Sequence, residues 1–282
     1  MNEREGRHRA TCSEHTGASG QTLTSAPASE QGGAAAVTAF DAKANISKAN
    51  DDTSDRLTTR SVRSFVIRNG RLTKAQGDAL DRLAPKYCLP YQDNIVDTRE
   101  TFGRQAPLWL EIGFGNGDAL LHMAEAYPDA DLIGCEVHAP GVGHALIGIE
   151  QRGLENVRIV QHDAMEVLEH MLAPASVQRV LLFFPDPWHK KRHHKRRIVQ
   201  RDFLDACARV LTPDGLLHCA TDWADYADWM QEHIEADERF ENVAGPGQKS
   251  PRPDWRTLTR FEVRGTRLGH EVTDLLYTRR RD

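Results

Sequence analysis

Five short apolar runs, separated by helix-length stretches, constrain the fold of this chain more than any other feature of its sequence. The runs cover residues 108–112, 131–137, 157–161, 180–184 and 215–221, and the stretches between them cover residues 117–127, 141–153, 164–171 and 199–210. Apolar runs of this length are typical of strands buried on both faces of a parallel sheet. Because parallel neighbours need crossover connections, the pattern predicts an α/β fold with a doubly wound, mostly parallel sheet and helices on both faces.

The regular alternation begins only at Leu108 and divides the chain into three parts. Residues 1–55 are rich in Ser, Thr, Ala, Gly and Gln and poor in large apolar residues, which predicts a disordered tail because too little surface can be buried to offset the ordering entropy. We expect residues 56–107 to form a basic extension that packs on the core, and residues 108–282 to form the α/β domain. A further helix is predicted over residues 226–234, and late strands over residues 261–263 and 272–278.

Length and composition exclude several classes of protein. A chain of 282 residues suffices for one substantial domain with appendages. No apolar run is long enough to span a bilayer, and no apolar segment follows the charged N-terminus, so we expect a cytoplasmic protein without membrane contact. The five cysteines are widely separated and lack a C-x-x-C pair, which fits neither a disulfide framework nor a zinc site.

Charge is segregated along the chain although the formal net charge is only -5. Residues 186–201 hold seven Lys or Arg against one acid, and residues 56–74 hold six bases without an acid. Residues 222–241 hold eight acids and one base. A protein that grips phosphates with one face needs this distribution more than it needs a positive average, so a nucleic-acid partner remains compatible with the net charge.

A glycine-rich loop, Glu-Ile-Gly-Phe-Gly-Asn-Gly at residues 111–117, follows the first predicted strand. Its glycines allow the backbone to turn sharply and approach a ligand, as in nucleotide-binding loops. A nicotinamide-binding loop normally has the spacing G-x-G-x-x-G, whereas this one has G-x-G-x-G with Glu111 two residues before Gly113. A carboxylate there would repel a pyrophosphate but suits the ammonium group of a methionine moiety, so Glu111 is the first candidate for binding a methionine-containing donor.

Two more acids follow the next two predicted strands. Glu136 ends the second strand, where a carboxylate can accept hydrogen bonds from ribose hydroxyls, and Asp163 closes the third, where it can accept from an adenine amino group. Together with Glu111 they lie at the sheet edge where open α/β folds bind ligands. The alternative is that these acids are helix N-caps, which is strongest for Asp163.

The segment after the fourth predicted strand combines a rigid acid with a cationic run. Asp186 lies between Pro185 and Pro187, which fix the backbone and prevent an immediate helix. Residues 190–197, Lys-Lys-Arg-His-His-Lys-Arg-Arg, are basic enough to neutralise several phosphates, which indicates a nucleic-acid acceptor, although such a run taken alone is often a solvated face. The neighbouring histidines lie among cations that would repel a dication, so we expect no metal.

These motifs are similar to those of the bacterial tRNA (guanine-N7-)-methyltransferase family, over about residues 64 to 277. The resemblance rests on residues 111–115, 136–138, 185–190, 192–193, 195–197 and on Arg264-Gly265-x-x-Leu268-Gly269-His270. It implies a Rossmann-like class I methyltransferase with a seven-stranded sheet, S-adenosylmethionine as methyl donor, and tRNA as substrate, methylated at N7 of guanine 46 in the variable loop. The enzyme is expected to act as a monomer or a homodimer.

The resemblance also implies roles for individual residues. Donor contacts would come from Glu111, Gly113, Gly115, Glu136, Asp163 and Asp186, of which Asp186 would also be the catalytic residue. Substrate contacts would come from Lys190, Asp222, Thr259, Arg260, Phe261 and Glu262. Contacts with RNA would come from Arg192, His193, His194, Lys195, Arg196 and Arg197. One departure is that the family tends to have Arg-Pro before its Thr-x-Phe-Glu motif, whereas this chain has Arg256-Thr257-Leu258.

Three alternatives stay open from the residues alone. A methyltransferase of the same donor type could act on another RNA, a protein or a small molecule if the basic run were incidental. A catalytically silent RNA-binding module would keep the basic run without binding the donor. A nicotinamide oxidoreductase is disfavoured because the loop lacks the glycine spacing that a pyrophosphate needs.

Overall fold

The computed structural model describes residues 63–66, 70–258, 262 and 271–281. The predicted tail over residues 1–55 lies outside these ranges, as does the predicted strand over residues 261–263 apart from Glu262. Within the described residues, no helix has the length and apolar character needed to cross a membrane.

Seven strands form one sheet in the described part of the chain. They are β1 (Leu108–Ile112), β2 (Asp131–Cys135), β3 (Val157–Val160), β4 (Val177–Phe183), β5 (Leu211–Thr221), β6 (Phe240–Asn242) and β7 (Thr273–Arg279). Their order across the sheet is β3-β2-β1-β4-β5-β7-β6, with parallel pairing from β3 to β5 and antiparallel pairing of β7 with both β5 and β6. The predicted mostly parallel, doubly wound sheet is therefore confirmed, and the strand order reverses between β1 and β4.

Helices cover both faces of this sheet, as the sequence predicts. They are α1 (Lys74–Tyr87), α2 (Thr98–Phe102), α3 (Asp118–Ala126), α4 (Ala139–Arg152), α5 (Ala164–Glu166) with a following π-helical turn (Val167–Met171), a 3-10 helix (Lys191–Arg196), α6 (Arg201–Val210) and α7 (Ala224–Glu235). One hydrophobic core lies under α5, α6 and α7, and a second lies under α1, α3 and α4. The five parallel strands, β1 to β5, are packed between these cores, and the carboxyl ends of these strands form one common edge of the sheet.

Helix α1 lies upstream of the predicted alternation. Thr73 and Gln76 cap its start reciprocally, with each side chain bonded to the other residue's backbone amide. The helix packs on α4, where a Cβ atom at Gly143 would lie 2.8 Å from the Cβ atom of Gln76. This close approach brings the chain segment before β1 against the core that supports the glycine loop.

Candidate active site

A cavity of about 200 Å³ opens at the carboxyl edge of the sheet. Its walls come from the segments after β1, β2 and β3, from the end of β4 and from the chain before α1. The lining residues are Ser64, Phe65, Ile112, Gly113, Cys135, Glu136, Val137, His138, His162, Asp163, Ala164, Leu182, Phe183, Phe184, Pro185, Asp186 and Ile198. Open α/β sheets bind ligands at this edge and at the point where strand order reverses, so the cavity is the candidate active site.

The glycine loop after β1 has a backbone conformation that would be strained for any residue other than glycine. Gly113, Gly115 and Gly117 have φ values of +69°, +59° and +83°. A Cβ atom at Gly113 or Gly115 would meet nothing within 4 Å, so the space in front of the loop is open. At Gly141, by contrast, a Cβ atom would lie 2.2 Å from the carbonyl oxygen of Gly115. The start of α4 therefore supports the loop from behind while its other side faces open space.

Glu111, at the end of β1, is a buried acid with an unsatisfied oxygen. Its residue is 3% exposed, and Oε2 has no hydrogen-bond partner among the described residues. Burial, assisted by the nearby charge of Glu136, raises the pKa of Glu111 to about 8. A buried carboxyl with a spare acceptor fits a cationic ligand group, because such a group would compensate the loss of hydration.

Glu136, which follows β2, accepts hydrogen bonds from backbone amides of the glycine loop and of its own loop. Oε2 accepts from the amide of Gly115 at 2.8 Å, and Oε1 accepts from the amides of Val137 and His138 at 2.7 and 3.0 Å. A carboxylate has about four acceptor positions, so these three bonds leave about one. One free acceptor position can serve one ribose hydroxyl, whereas the sequence suggests that this residue accepts from more than one.

Asp163, which follows β3, caps helix α5. Its Oδ1 accepts from the amide of Met165 at 3.0 Å, so the N-cap role considered as an alternative is present. The neighbouring His162 stacks on Tyr91 with ring centroids 3.7 Å apart and bonds to Glu166 through Nε2. His162 lines the cavity and Tyr91 supports it. The sequence does not predict this stacking, because Tyr91 comes from a loop far upstream.

The loop that carries Asp186 is bounded by two strained aromatic residues. Phe184 and Trp188 have φ values of +51° and +48°, which cost on the order of 1–3 kcal/mol each at residues other than glycine. The Trp188 indole donates to the carbonyl of Ser64 at 3.1 Å, which anchors one end. Asp186 itself is exposed and lines the cavity, so this geometry places its carboxylate at the cavity mouth.

The basic segment after this loop divides into exposed and anchored cations. Lys190, Lys191, Arg192 and Lys195 are exposed, and the last three lie on the 3-10 helix. Arg196 is half-buried over the Trp188 ring at 5.0 Å. The histidines pack edge-on against tryptophans: His189 against Trp223, His193 against Trp188 and His194 against Trp229. Partial burial and the surrounding cations lower the pKa of His193.

Arg197 corrects a sequence prediction. It was expected to contact RNA, but its side chain is 1% exposed and lies beside the rings of Tyr226 and Trp229. The guanidinium donates to the carbonyl of Pro187 at 3.0 Å and pairs with Asp225. Since the group is enclosed on all these sides, it positions the loop instead of meeting a phosphate.

The remaining predicted substrate residues lie on the β5 and β7 side of the site. Asp222 is half-buried directly after β5. Glu262 is 5% exposed and forms a bidentate ion pair with Arg256, with N–O distances of 2.7 and 3.0 Å. Thr259, Arg260 and Phe261 lie outside the described residues. Sequence reasoning noted Arg256 only as part of a departure from the family pattern and missed this pairing.

No group of three or more His, Cys, Asp or Glu residues that could hold a metal ion occurs in the part of the chain that the structure describes.

Comparison with known proteins finds a family model, curated relatives and solved structures that resemble this chain. A family model described as "Putative methyltransferase" matches residues 105–275. The tRNA (guanine-N(7)-)-methyltransferase of Halorhodospira halophila is 52% identical over 224 residues, which cover 79% of this chain and 97% of that protein. The protein of the same description from Alcanivorax borkumensis is 53% identical over 221 residues, which cover 78% of this chain and 92% of that protein. A solved 16S rRNA (adenine(1408)-N(1))-methyltransferase from Catenulisporales acidiphilia is 13% identical with a TM-score of 0.46, covering 64% of this chain and 89% of that one.

Proposed function

This chain belongs to the tRNA (guanine-N7-)-methyltransferase family, and we propose that it transfers the methyl group of S-adenosylmethionine to N7 of guanine 46 in the variable loop of tRNA. The observation that carries the proposal is the position of Asp186. This residue lines the cavity at the sheet edge and lies four residues before Lys190, where the exposed cations begin. A donor site and an RNA-binding surface therefore meet at one carboxylate.

The residues at this edge of the sheet fit the donor. S-adenosylmethionine supplies an electrophilic methyl group on a sulfonium, together with an ammonium group, a ribose and an adenine. Glu111 offers its unsatisfied buried oxygen to the ammonium group, and the open side of the glycine loop allows close approach. Glu136 keeps about one acceptor position for a ribose hydroxyl. Asp163 bonds Met165 through Oδ1, and its second oxygen is assigned to the adenine amino group.

The acceptor chemistry needs orientation more than proton removal. Guanine N7 carries an in-plane lone pair, so attack on a methyl group requires no general base. The enzyme must align that lone pair with the methyl group and stabilise the positive charge that develops on the purine. Asp186 and Asp222 can do both by accepting hydrogen bonds from the guanine N1–H and amino group. Their carboxylates then orient the ring and offset its charge.

The exposed part of the basic segment serves the RNA. Lys190, Lys191, Arg192 and Lys195 can each neutralise a phosphate next to the cavity. The target base must leave its place in the folded tRNA, at an unstacking cost of roughly a few kcal/mol. Contacts with flanking phosphates help to offset that cost, because they strengthen as the nucleotide approaches the cavity.

A methylation assay with site mapping tests the proposal. The protein is incubated with an unmodified tRNA transcript and labelled S-adenosylmethionine, and the product is cleaved chemically at 7-methylguanine. We expect one cleavage site at guanine 46 and none in a matched transcript with adenine at that position. Label incorporated elsewhere would refute the proposed position, and a protein whose melting temperature is unchanged by the donor would refute the donor site.

A further inference from the structure

Arg256 lies between two buried carboxylates and bonds both. Nη1 and Nη2 donate to Glu262, while Nε and Nη2 donate to Asp274 at 2.5 and 2.7 Å. The exposed fractions of Arg256, Glu262 and Asp274 are 2%, 5% and 3%. Two forked ion pairs at this depth fix the guanidinium in one orientation, because its donors are shared between two desolvated carboxylates.

Asp274 is in turn held by a histidine of fixed tautomer. His218 on β5 lies 2.7 Å from Asp274 through Nε2, and the Trp255 indole donates to its Nδ1 at 3.1 Å. An indole nitrogen can only donate, so Nδ1 is the acceptor and the proton is on Nε2, where it is donated to Asp274. Burial lowers the pKa of His218, which agrees with a neutral ring.

This network lies directly behind the wall of the cavity. The Arg256 guanidinium is 5.8 Å from the ring centroid of Phe184, and the His218 ring meets Phe183 edge-on at 4.9 Å. Both phenylalanines line the cavity, and Phe184 is the strained residue that begins the Asp186 loop. Arg256 therefore contacts Glu262 on one side and the base of the Asp186 loop on the other.

We propose that Arg256 is a positioning residue for methyl transfer, which fixes Glu262 relative to the Asp186 loop through its paired carboxylates and the Trp255–His218–Asp274 anchor. The inference rests on the proposed function, since it assigns Arg256 to the acceptor side of that site. Lysine cannot replace arginine here, because an ammonium group lacks the planar fork that serves two carboxylates at once.

The test compares Arg256→Lys with the wild-type enzyme. Removing the side chain entirely would take the guanidinium away from two buried carboxylates and risks unfolding, so the conservative change is used. We expect kcat for tRNA methylation to fall on the order of 10²-fold, as for other displacements of about 1 Å, while the donor Kd stays within about twofold. An unchanged kcat would overturn the inference, as would a loss explained entirely by weaker donor binding.

Arg179→Lys is the matched control. Arg179 lies between the rings of Trp109 and Trp255 at 4.0 and 4.2 Å, so it shares Trp255 with the network. Its Nη1 is buried and has no hydrogen-bond partner among the residues that the structure describes. We expect this variant to keep kcat within about threefold, since only a stacked cation is altered. An equal loss in both variants would mean that any disturbance of this core lowers activity, and the specific role of Arg256 would be refuted.

A double-mutant cycle with Glu262→Gln identifies the route of the effect. If Arg256 acts through Glu262, Arg256→Lys should cost less than about threefold in kcat when Glu262→Gln is already present. Multiplying effects would refute action through Glu262. A wild-type protein that produces no 7-methylguanine would refute the proposed function, whereas normal wild-type activity with an unaffected Arg256→Lys variant would refute this inference alone.

Discussion

Three acids line the cavity, Glu136, Asp163 and Asp186, and a fourth, Glu111, is buried on β1 beside the lining residue Ile112; the four differ in the partners that their oxygens have. Glu111 is buried and one of its oxygens has no hydrogen-bond partner among the described residues, whereas Glu136 accepts hydrogen bonds from three backbone amides. Asp163 caps a helix with one oxygen, and Asp186 is exposed at the cavity mouth. Identical functional groups thus acquire different tasks, because the surroundings decide which carboxylate can accept a new partner and which is already used.

The raised pKa of Glu111 predicts that donor binding strengthens as pH rises. The carboxyl is protonated at neutral pH because its pKa is about 8, and it must lose that proton to pair with an ammonium group. Donor affinity should therefore increase up to about tenfold per pH unit between about pH 6 and pH 8. Glu111→Gln should remove this slope and bind the donor more weakly at pH 8. Calorimetric titration of both proteins at three pH values measures the difference.

The ligand's own amino group also titrates, and the Gln variant is the control for it. α-Amino groups titrate at about 7.7–8.0 in peptides, so the ammonium form of the donor is lost near pH 8 whichever protein is titrated, and below that pH the difference between the two profiles reports Glu111. A parallel pH profile in the two proteins would contradict the role of Glu111.

In the free protein the raised pKa of Glu111 also means that the folded state binds more protons than the unfolded state between pH 4.5 and about 8. Glu111→Gln should accordingly raise the melting temperature of the free protein at pH 8.

Asp186→Ala should separate turnover from donor binding. The exposed carboxylate is proposed to act on the guanine, so its loss should lower kcat on the order of 10²-fold or more, with a smaller change in donor Kd. Asp228→Ala on the exposed face of α7 is the control and should leave both quantities unchanged. Single-turnover methylation and equilibrium donor binding provide the two measurements. Equal turnover of the two variants would eliminate the role of Asp186.

At the scale of elements, helix α4 and the glycine loop form one unit. The carbonyl oxygen of Gly115 occupies the space that a side chain at Gly141 would need, at 2.2 Å. Gly141→Ala must displace the loop, and we expect donor affinity to fall about tenfold or more as the loop moves. In Gly77→Ala, within α1, the new methyl group meets nothing within 4 Å and should stabilise the helix by up to about 1 kcal/mol. Donor titrations and thermal melts of both variants test the contrast, and equal donor affinities would contradict it.

The 3-10 helix and the residue that follows it should respond differently to loss of charge. Lys195→Gln removes an exposed cation, so the slope of log affinity for tRNA against log salt should decrease by about one without a change in melting temperature. Arg197→Gln leaves Asp225 and the Pro187 carbonyl without their buried donor and should lower the melting temperature by several degrees, for a cost of about 1–3 kcal/mol. Salt-dependent binding and thermal melts measure both effects. If Arg197→Gln lowered only the salt slope, the buried role would be wrong.

The strands could be predicted from the sequence where both faces are buried. Every residue of β1 is buried, and its predicted bounds agree with the structure. Strands β4 and β5 begin earlier than predicted, because exposed residues near their starts, such as Gln178 and Asp214, interrupt the apolar runs. Helix α1 is not among the predicted elements, because its segment is interpreted only as basic, although its buried residues Ala79, Leu80, Leu83, Ala84 and Tyr87 recur at helical spacing.

The position of the candidate site could also be predicted, but its pairings could not. Strand ends follow from the fold rule for parallel sheets, which brought Glu111, Glu136 and Asp163 to one edge. Asp225, which pairs with Arg197, and Asp274, which pairs with Arg256, lie 28 and 18 positions further along the chain. A run of like charges gives no indication of which member is buried, because burial depends on the aromatic surfaces that the fold brings next to it.

In the whole molecule, segments of opposite charge that are separate in sequence meet in space. Asp225, from the acidic stretch, pairs with Arg197 at the end of the basic run. This contact anchors the basic segment at its C-terminal end, while Trp188 and Ser64 anchor the preceding loop. The exposed cations Lys190, Lys191, Arg192 and Lys195 lie between these two anchors, although the net charge of the chain is negative.

The N-terminal part of the chain should contribute to activity only from the segment that reaches the cavity. The alignment with the relative from Halorhodospira halophila covers 224 residues, which are 97% of that protein but only 79% of this chain. That protein therefore has little room for a counterpart of a 55-residue tail. Residues 1–55 lack the apolar content that a packed element requires. A protein that begins at Arg56 should therefore keep kcat, donor Kd and melting temperature within about twofold or a few degrees of the full chain.

A protein that begins at Arg71 should behave differently. It lacks Ser64 and Phe65, which line the cavity, and the Ser64 carbonyl that accepts from the Trp188 indole. We expect its donor affinity to fall about tenfold, because one wall of the cavity is lost and the Asp186 loop is released from its anchor. Donor titration and tRNA methylation with the two shortened proteins and the full chain measure this difference. Reduced activity already in the protein that begins at Arg56 would assign a role to the tail, whereas full activity in the protein that begins at Arg71 would show that the loop holds its geometry without Ser64.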